Sequence, residues 1–465
     1  MLRVFPVCCL LGWVTACSDP LVSAQEADES SSTQGVGETP LPSGDESTTR
    51  SDSSPASTTI PPSETGTDAS SEGGDSSTGD TSVCGDGIID GQETCDDGNA
   101  EDGDACRADC RLAFEILDMS QFHVGNDLVF EVAVDPRGTA WAAGVSATES
   151  GVDAIVLSVT PDGQIDPFWH SVTPGDDDFS SVALLPGGDI VTAGGFTEDG
   201  DRDGRLMRLT TPGQVSWIHD YDGPDDGDSV ATRDYAHDVA VNGAGELLVA
   251  YSSREIGEGS DIRISKYDEA GGELWSWTYA GTAHDDDAPA KLVIAPDGDV
   301  VFGGYSQEAG EPRGGVLGRV SDDGELRALQ TSLPDRVFAL GVDADGVVAV
   351  GEGWIERRSR DLQDVVYTDL NPGFDYGFGV TPIAGGFVIS GGVGVTGEQS
   401  NAFVGAWGND GSPWWSDTYD NPEASLNDVA RDSALAPDGS LVVVGTTLEI
   451  GASSNIFVRR YGLFD

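Results

Sequence analysis

The strongest constraint in this chain is internal repetition. From residue 112 to 465 one pattern recurs: an apolar strand, a turn carrying Gly, and a second apolar strand. It reads VAVDPRGTAWAAG at 132–144, VALLPGGDIVTAG at 182–194, VAVNGAGELLVAY at 239–251, LVIAPDGDVVFGG at 292–304, LGVDADGVVAVGE at 340–352, VTPIAGGFVISGG at 380–392 and SALAPDGSLVVVG at 433–445. Aligned on Gly138, Gly188, Gly245, Gly298, Gly346, Gly386 and Gly439, the units are spaced by 50, 57, 53, 48, 40 and 53 residues. Such a period marks blades or solenoid turns. One unit cannot bury its own apolar face and needs its neighbours.

Each unit continues with a third strand led by a polar residue, such as DAIVLSV at 153–159 and NIFVRRY at 455–461. A second turn follows, often with Gly: Gly163, Gly213, Gly271 or Gly272, Gly324, and Gly411. A fourth strand then carries aromatic pairs at i, i+4: Trp217/Tyr221, Trp275/Tyr279 and Trp415/Tyr419. Period two puts both rings of a pair on one face. The second strands are apolar at successive positions, which predicts burial on both faces. Stacked four-stranded blades bury strands in that way, so the reading is an all-β, seven-bladed β-propeller over 112–465. The pattern resembles the bacterial seven-bladed propeller repeats of the form vavdpdGniyvaG…D.fv.k…dG…W…y. Six or eight blades, or an open solenoid, are the alternatives. The last unit stops after its third strand, and AFEILDMSQF at 113–122 is placed to supply the fourth and close the ring. The connections 145–152, 195–203, 252–260, 305–313 and 393–400 read as long recognition loops.

The N-terminus reads as an address. Met1-Leu2-Arg3 precedes an apolar run from Val4 to Val14, too short to span a bilayer and suited to a signal-peptide core. The run ends in Val14-Thr15-Ala16-Cys17, which resembles the lipobox of bacterial lipoproteins. The resemblance implies a signal peptide at 1–16, cleavage before Cys17, and acylation of that residue. An ordinary secretory cut near Ala16 or Ala24 is the competing reading. Residues 17–83 hold this cysteine and an acidic Ser/Thr/Gly/Pro-rich stretch without aromatics, whose one base is Arg50. Too little apolar surface exists there to offset ordering entropy, which predicts a disordered spacer.

Residues 84–111 read CGDGIIDGQETCDDGNAEDGDACRADCR. They closely resemble the myxobacterial cysteine-rich repeat, CGDG…GExCDDGN…GDxCxxxC, departing only where Gln92 separates Gly91 from Glu93. Twenty-eight residues cannot fold on a core, so Cys84, Cys95, Cys106 and Cys110 in an exported chain suggest two disulfides, in one of three pairings. Tetrahedral zinc is the competing reading. Asp86, Asp96, Asp97, Asn99, Asp102 and Asp104 crowd hard oxygens into Gly-rich turns, a set that suits Ca²⁺. The same residues are also good turn formers.

Composition narrows function. With 82 acids against 23 Lys and Arg, the formal charge is −59. No basic face exists for nucleic acid. Acidic clusters at Asp176–Asp178, Asp225–Asp228 and Asp285–Asp287 recur before the next unit's first strand, as turn caps, solvating groups or calcium ligands. His123, His170, His219, His237 and His284 fall in different units and form no motif. No nucleophile elbow, H-E-x-x-H or Walker sequence is present. The expectation is therefore a non-enzymatic envelope lipoprotein, anchored in the outer membrane through Cys17. Its propeller would serve as a platform for a protein or carbohydrate ligand. A propeller enzyme of hydrolase, lyase or quinone-dependent dehydrogenase type, with polar groups converging on the central funnel, is the first alternative. A ligand-free envelope spacer is the second.

Overall fold

The computed structural model describes residues 116–462 apart from the short stretches 123–125, 149–150, 172–174, 199–200, 212, 224–233, 255–258, 284–285, 308–312, 396–398, 422–426 and 449–453. Cys17, the four cysteines of 84–111, and the proposed calcium ligands Asp86, Asp96, Asp97, Asn99, Asp102 and Asp104 lie outside the described residues.

The described residues form seven antiparallel four-stranded sheets. The inner strands, each the first of its blade, are Asn126–Val134, Asp178–Leu184, Tyr235–Val241, Ala288–Ile294, Ala339–Val342, Tyr376–Ile383 and Asp428–Leu435. In blades 1 to 6 the strands follow in sequence order from inside to outside. In blade 7 the outermost strand is Ile116–Phe122, paired antiparallel with Ser454–Tyr461. The expected closing segment therefore does close the ring. It satisfies the open edge of Ser454–Tyr461 with the start of the domain.

The apolar core is divided among the blade junctions. Each of seven clusters joins two adjacent blades. The junction that completes the circle packs Val129, Val132 and Ile155 of blade 1 on Val442, Val444 and Ile456 of blade 7. Second strands such as Leu247–Arg254 and Leu441–Leu448 are buried at nearly every position, as their unbroken apolar runs require. Outer strands alternate, as in Gln214–Tyr221, where Trp217, His219 and Tyr221 share the half-buried face.

The rim is locked by a repeated contact. The second-turn glycines adopt positive φ, as at Gly271 (87°) and Gly324 (89°), a conformation that suits residues without a Cβ. An outer-strand aromatic of the preceding blade lies over the turns of Gly213, Gly271, Gly324 and Gly411. Trp275 sits 3.0 Å from where a Cβ on Gly324 would stand, and its indole N–H donates to the Asp322 carbonyl at 2.9 Å. Trp217 covers Gly271, and Phe168 covers Gly213. Blade 5 departs from this: Leu362 takes the left-handed position (φ 61°), with its side chain fully buried in the blade 4–5 core.

Two sequence expectations change. Gly346 and Gly386 are not turn residues but the first residues of second strands, Gly346–Val350 and Gly386–Val395. Blades 5 and 6 use shorter hairpins, with Gly385 at positive φ in blade 6. Several supposed long loops are instead extended hairpins. Ala140–Thr148 and Gly151–Val159 pair up to Thr148/Gly151, and Ile190–Glu198 and Asp201–Thr210 pair up to Glu198/Asp201.

Candidate functional site

The inner strands present their free edges to the propeller axis. Six of the seven carry a register shift near their middle, for example between Val129 and Glu131 and between Ala430 and Asp432. Such a bulge re-aims the residue that follows it. In chain order the re-aimed residues are Glu131, Ser181, Asp238, Lys291, Gly379 and Asp432, with Ala339 at the matching place in blade 5.

These side chains solve a backbone problem. An inner-edge N–H buried at the axis would be an orphan donor. The Asp432 carboxylate accepts the N–H of Val132 in the next blade at 3.0 Å, and Glu131 accepts that of Val182 at 3.3 Å. The Ser181 hydroxyl accepts from Val239 at 3.1 Å, and Asp238 accepts from Leu292 at 2.6 Å. Four successive blade junctions are thus pinned by one rule: each acceptor reaches the N–H of the residue just after the axial position in the following blade.

Lys291 takes the position where an acceptor would continue the series. Its ammonium ion-pairs with Glu131 and lies 3.3 Å from Asp238. Blades 1 and 4 are not neighbours, so the Lys291–Glu131 pair spans the axis, with 20% and 13% of the two side chains exposed. Burial pushes the Glu131 carboxyl well up, and the neighbouring charge of Asp238 pushes the same way. Burial raises the Asp432 carboxyl too, against the pull of Lys291. Burial disfavours the Lys291 ammonium, but Asp238, Glu131 and Asp432 outweigh it and hold its pKa above the ordinary value. Three carboxyl groups, Glu131, Asp238 and Asp432, thus surround the one ammonium of Lys291.

The other side of the ring is aromatic. Ala339 and Gly379 bring no polar atom to the axis. Phe338 stacks on Phe378 with ring centroids 5.8 Å apart and planes at 22°. Tyr376 stacks on Phe378 at 6.0 Å and 9°. The Arg431 guanidinium lies over the same Phe378 ring at 4.7 Å. Phe338, Phe378 and Arg431 come from blades 5, 6 and 7, all are half-buried, and each directly precedes the axial residue of its inner strand, Phe378 and Arg431 being the bulged residues themselves.

A second repeated feature escaped the sequence reading. Asp127, Asp177, Asp234, Asp287, Asp335, Asp375 and Asp428 each lie four residues before the axial position, one per blade. Most are buried and act as clamps between connections. Asp287 accepts from Gly281 at 2.5 Å and Gln307 at 2.9 Å; Asp234 accepts from Gly223 at 2.8 Å and Arg254 at 2.9 Å. Asp177 accepts from Thr197 and Asp428 from Asn421. Part of the acidic clustering thus has a structural cause, with Asp177 and Asp287 as its buried members. Asp225–Asp228 and Asp285 lie outside the described residues.

The three described histidines do not converge. His237 is buried beside the channel, 2.9 Å from the Ser252 hydroxyl, and burial pushes its pKa down to about 3. His219 packs edge-on against Tyr267, and His170 ends an outer strand. His123 and His284 lie outside the described residues. Among the described residues, one carboxylate trio has the donor set of a hard cation: Asp201, Asp203 and Asp222, with oxygens within 4.8 Å of one another. Burial and the charges of Asp201 and Asp222 raise Asp203 to about 6.

No protein-family model matches the chain, and no curated protein is significantly similar to it. Solved structures are similar at the level of overall shape. A protein of unknown function from Dyadobacter fermentans has 12% identity and a TM-score of 0.45, over 76% of this chain and 99% of its own. Sqt1 from Chaetomium thermophilum has 11% identity and a TM-score of 0.45, over 73% and 86%. A Bacteroides caccae protein of unknown function has 13% identity and a TM-score of 0.41, over 60% and 93%. The seven-bladed architecture itself rests on the strand pairing described above.

Proposed function

We propose that this chain is a lipid-anchored envelope protein whose propeller is a rigid platform for binding a protein or carbohydrate ligand. The observation that carries the platform reading is the ion pair that bridges the channel. The axial carboxylates accept backbone N–H groups from the next blade, and Lys291 joins Glu131 to Asp238 across the axis. A funnel enzyme needs polar groups with a free side towards substrate. These groups do converge, as the enzymatic alternative asks, but Asp238 and Asp432 are buried, Glu131 and Lys291 are half-buried, and all four are engaged in holding blades together. The rings and loops at the two faces are what remains to meet another molecule, and loops on a rigid scaffold are where recognition commonly sits.

The anchor rests on Val14-Thr15-Ala16-Cys17 after an apolar run, with the outer membrane as the expected location. Labelled palmitate fed to a Gram-negative host expressing the full chain tests it. The native chain should take up label and sediment with membranes, and Cys17→Ser should do neither. Label retained by Cys17→Ser would refute the anchor. For the platform, the full chain in detergent is immobilised and offered envelope proteins and a glycan array. A ligand displaced by excess free chain supports binding, and a flat response moves the reading to a spacer.

A further inference from the structure

We propose that the Phe338–Phe378–Arg431 stack recognises an acidic side chain carried on an apolar peptide segment of a partner protein; this rests on the platform reading and specifies where and what it binds. The starting observation is an imbalance of charge. In a chain of net charge −59, most described basic side chains ion-pair with Asp or Glu. Arg431 forms no ion pair. Its guanidinium lies 4.7 Å from the Phe378 ring centre, and its buried Nε has no hydrogen-bond partner. Arg336, two residues before Phe338, also forms no ion pair and stacks at 5.3 Å over Tyr305.

A guanidinium placed over a ring face uses the ring and not a carboxylate as its neighbour, and its planar fork of donors matches a carboxylate. Among the described residues no carboxylate neutralises this guanidinium, so an anion from outside would meet an uncompensated charge. The blades behind the stack contribute Ala339 and Gly379 at the axial position, so no carboxylate from those two places competes for the cation. The polar half of the channel, by contrast, neutralises its own charges.

The surroundings define the ligand further. Phe338, Tyr376 and Phe378 offer flat, half-buried rings, a surface for apolar side chains on either side of the acid. The large negative charge of the rest of the molecule repels polyacidic chains, within a screening length of about 8 Å. The favoured segment therefore bears one or two acids among aromatic or branched residues.

The full chain is titrated with acetyl-Phe-Asp-Leu-amide and its Asn and Lys counterparts, followed by saturation-transfer NMR. The Asp peptide should bind roughly tenfold more tightly than the Asn peptide, the size of one charge-assisted contact, and the Lys peptide should not bind. Arg431→Gln should abolish the Asp preference while leaving weak apolar binding. Arg336→Gln, at a site outside the channel, should weaken the preference without removing it and serves if Arg431→Gln unfolds. Equal binding of Asp and Asn peptides by the native chain overturns the proposal, as does an undiminished preference in Arg431→Gln. Either result leaves the platform reading to its own ligand assay, where a displaceable ligand would then be sought on another surface.

Discussion

Replacing Lys291 by Met tests the channel directly. The change keeps an unbranched side chain of similar length but removes the ammonium that Glu131 and Asp238 share across the axis. Three carboxyl groups, Glu131, Asp238 and Asp432, then face one another in a buried space without that cation. Breaking a buried ion pair by removing one partner costs about 3–5 kcal/mol. For a propeller of about 350 residues, unfolding entropy near 2.1 cal/mol/K per residue gives roughly 0.7 kcal/mol per degree, so the midpoint should fall by about 4–7 °C. The loss must depend on pH. Glu131 and Asp432 already have raised pKa values in the folded state, and without Lys291 they should rise further. A carboxyl raised on folding gives its full stability below its unfolded pKa, near 4, and loses it as pH climbs through the folded value. Thermal unfolding followed by circular dichroism should therefore show a small deficit for Lys291→Met near pH 4.5 and the full deficit near pH 8. Glu131→Gln in the Lys291→Met background should recover more stability at pH 8 than the two single changes predict together, because contacting residues are not additive. A Lys291→Met protein as stable as the native one at pH 8, or one equally weakened at both pH values, would refute the electrostatic account and leave Lys291 as channel packing.

Other consequences are simpler to read. Gly324→Ala should lower stability by about 1–3 kcal/mol in thermal unfolding, from left-handed strain and the Cβ set against Trp275; an unchanged midpoint would mean that the rim contact does not constrain this turn. A chain lacking residues 1–122 loses the outer strand of blade 7 and bares the edge of Ser454–Tyr461. It should unfold earlier and self-associate in light scattering, and a stable monomer would show that ring closure rests on the blade 7–1 core alone. Asp203→Asn removes a carboxyl raised to about 6 by burial and by Asp201 and Asp222. The native protein loses that group's contribution as pH rises through 6, so the variant should gain relative stability at pH 7.5 and little at pH 4. The opposite sign would mean that the Asp203 charge is stabilised by its surroundings.

The number of blades, the order of strands within them and the strand that closes the ring were legible from residues alone. Those features depend on local rules: alternation, unbroken apolar second strands, and Gly in tight turns. Each repeats seven times, so a weak local signal accumulates. Blades 5 and 6 show the limit, since their hairpins are shortened while Gly346 and Gly386 remain in place to mislead an alignment anchored on glycine. The seven aspartates from Asp127 to Asp428 stand at a fixed place in the sequence, eleven residues before each aligned glycine. Their clamping role, seen at Asp177, Asp234, Asp287 and Asp428, shows only in the hydrogen bonds of the folded chain. The contacts of Glu131, Asp238, Lys291 and Asp432, and of Phe338, Phe378 and Arg431, were decided by tertiary structure. Glu131 and Lys291 are 160 positions apart, in blades that touch only across the axis. Bulges of one residue aim such side chains inward, and bulges leave no fixed mark in sequence. Local chemistry specifies each sheet, whereas closing seven sheets into a circle creates an axis, and only an axis can bring such distant residues together.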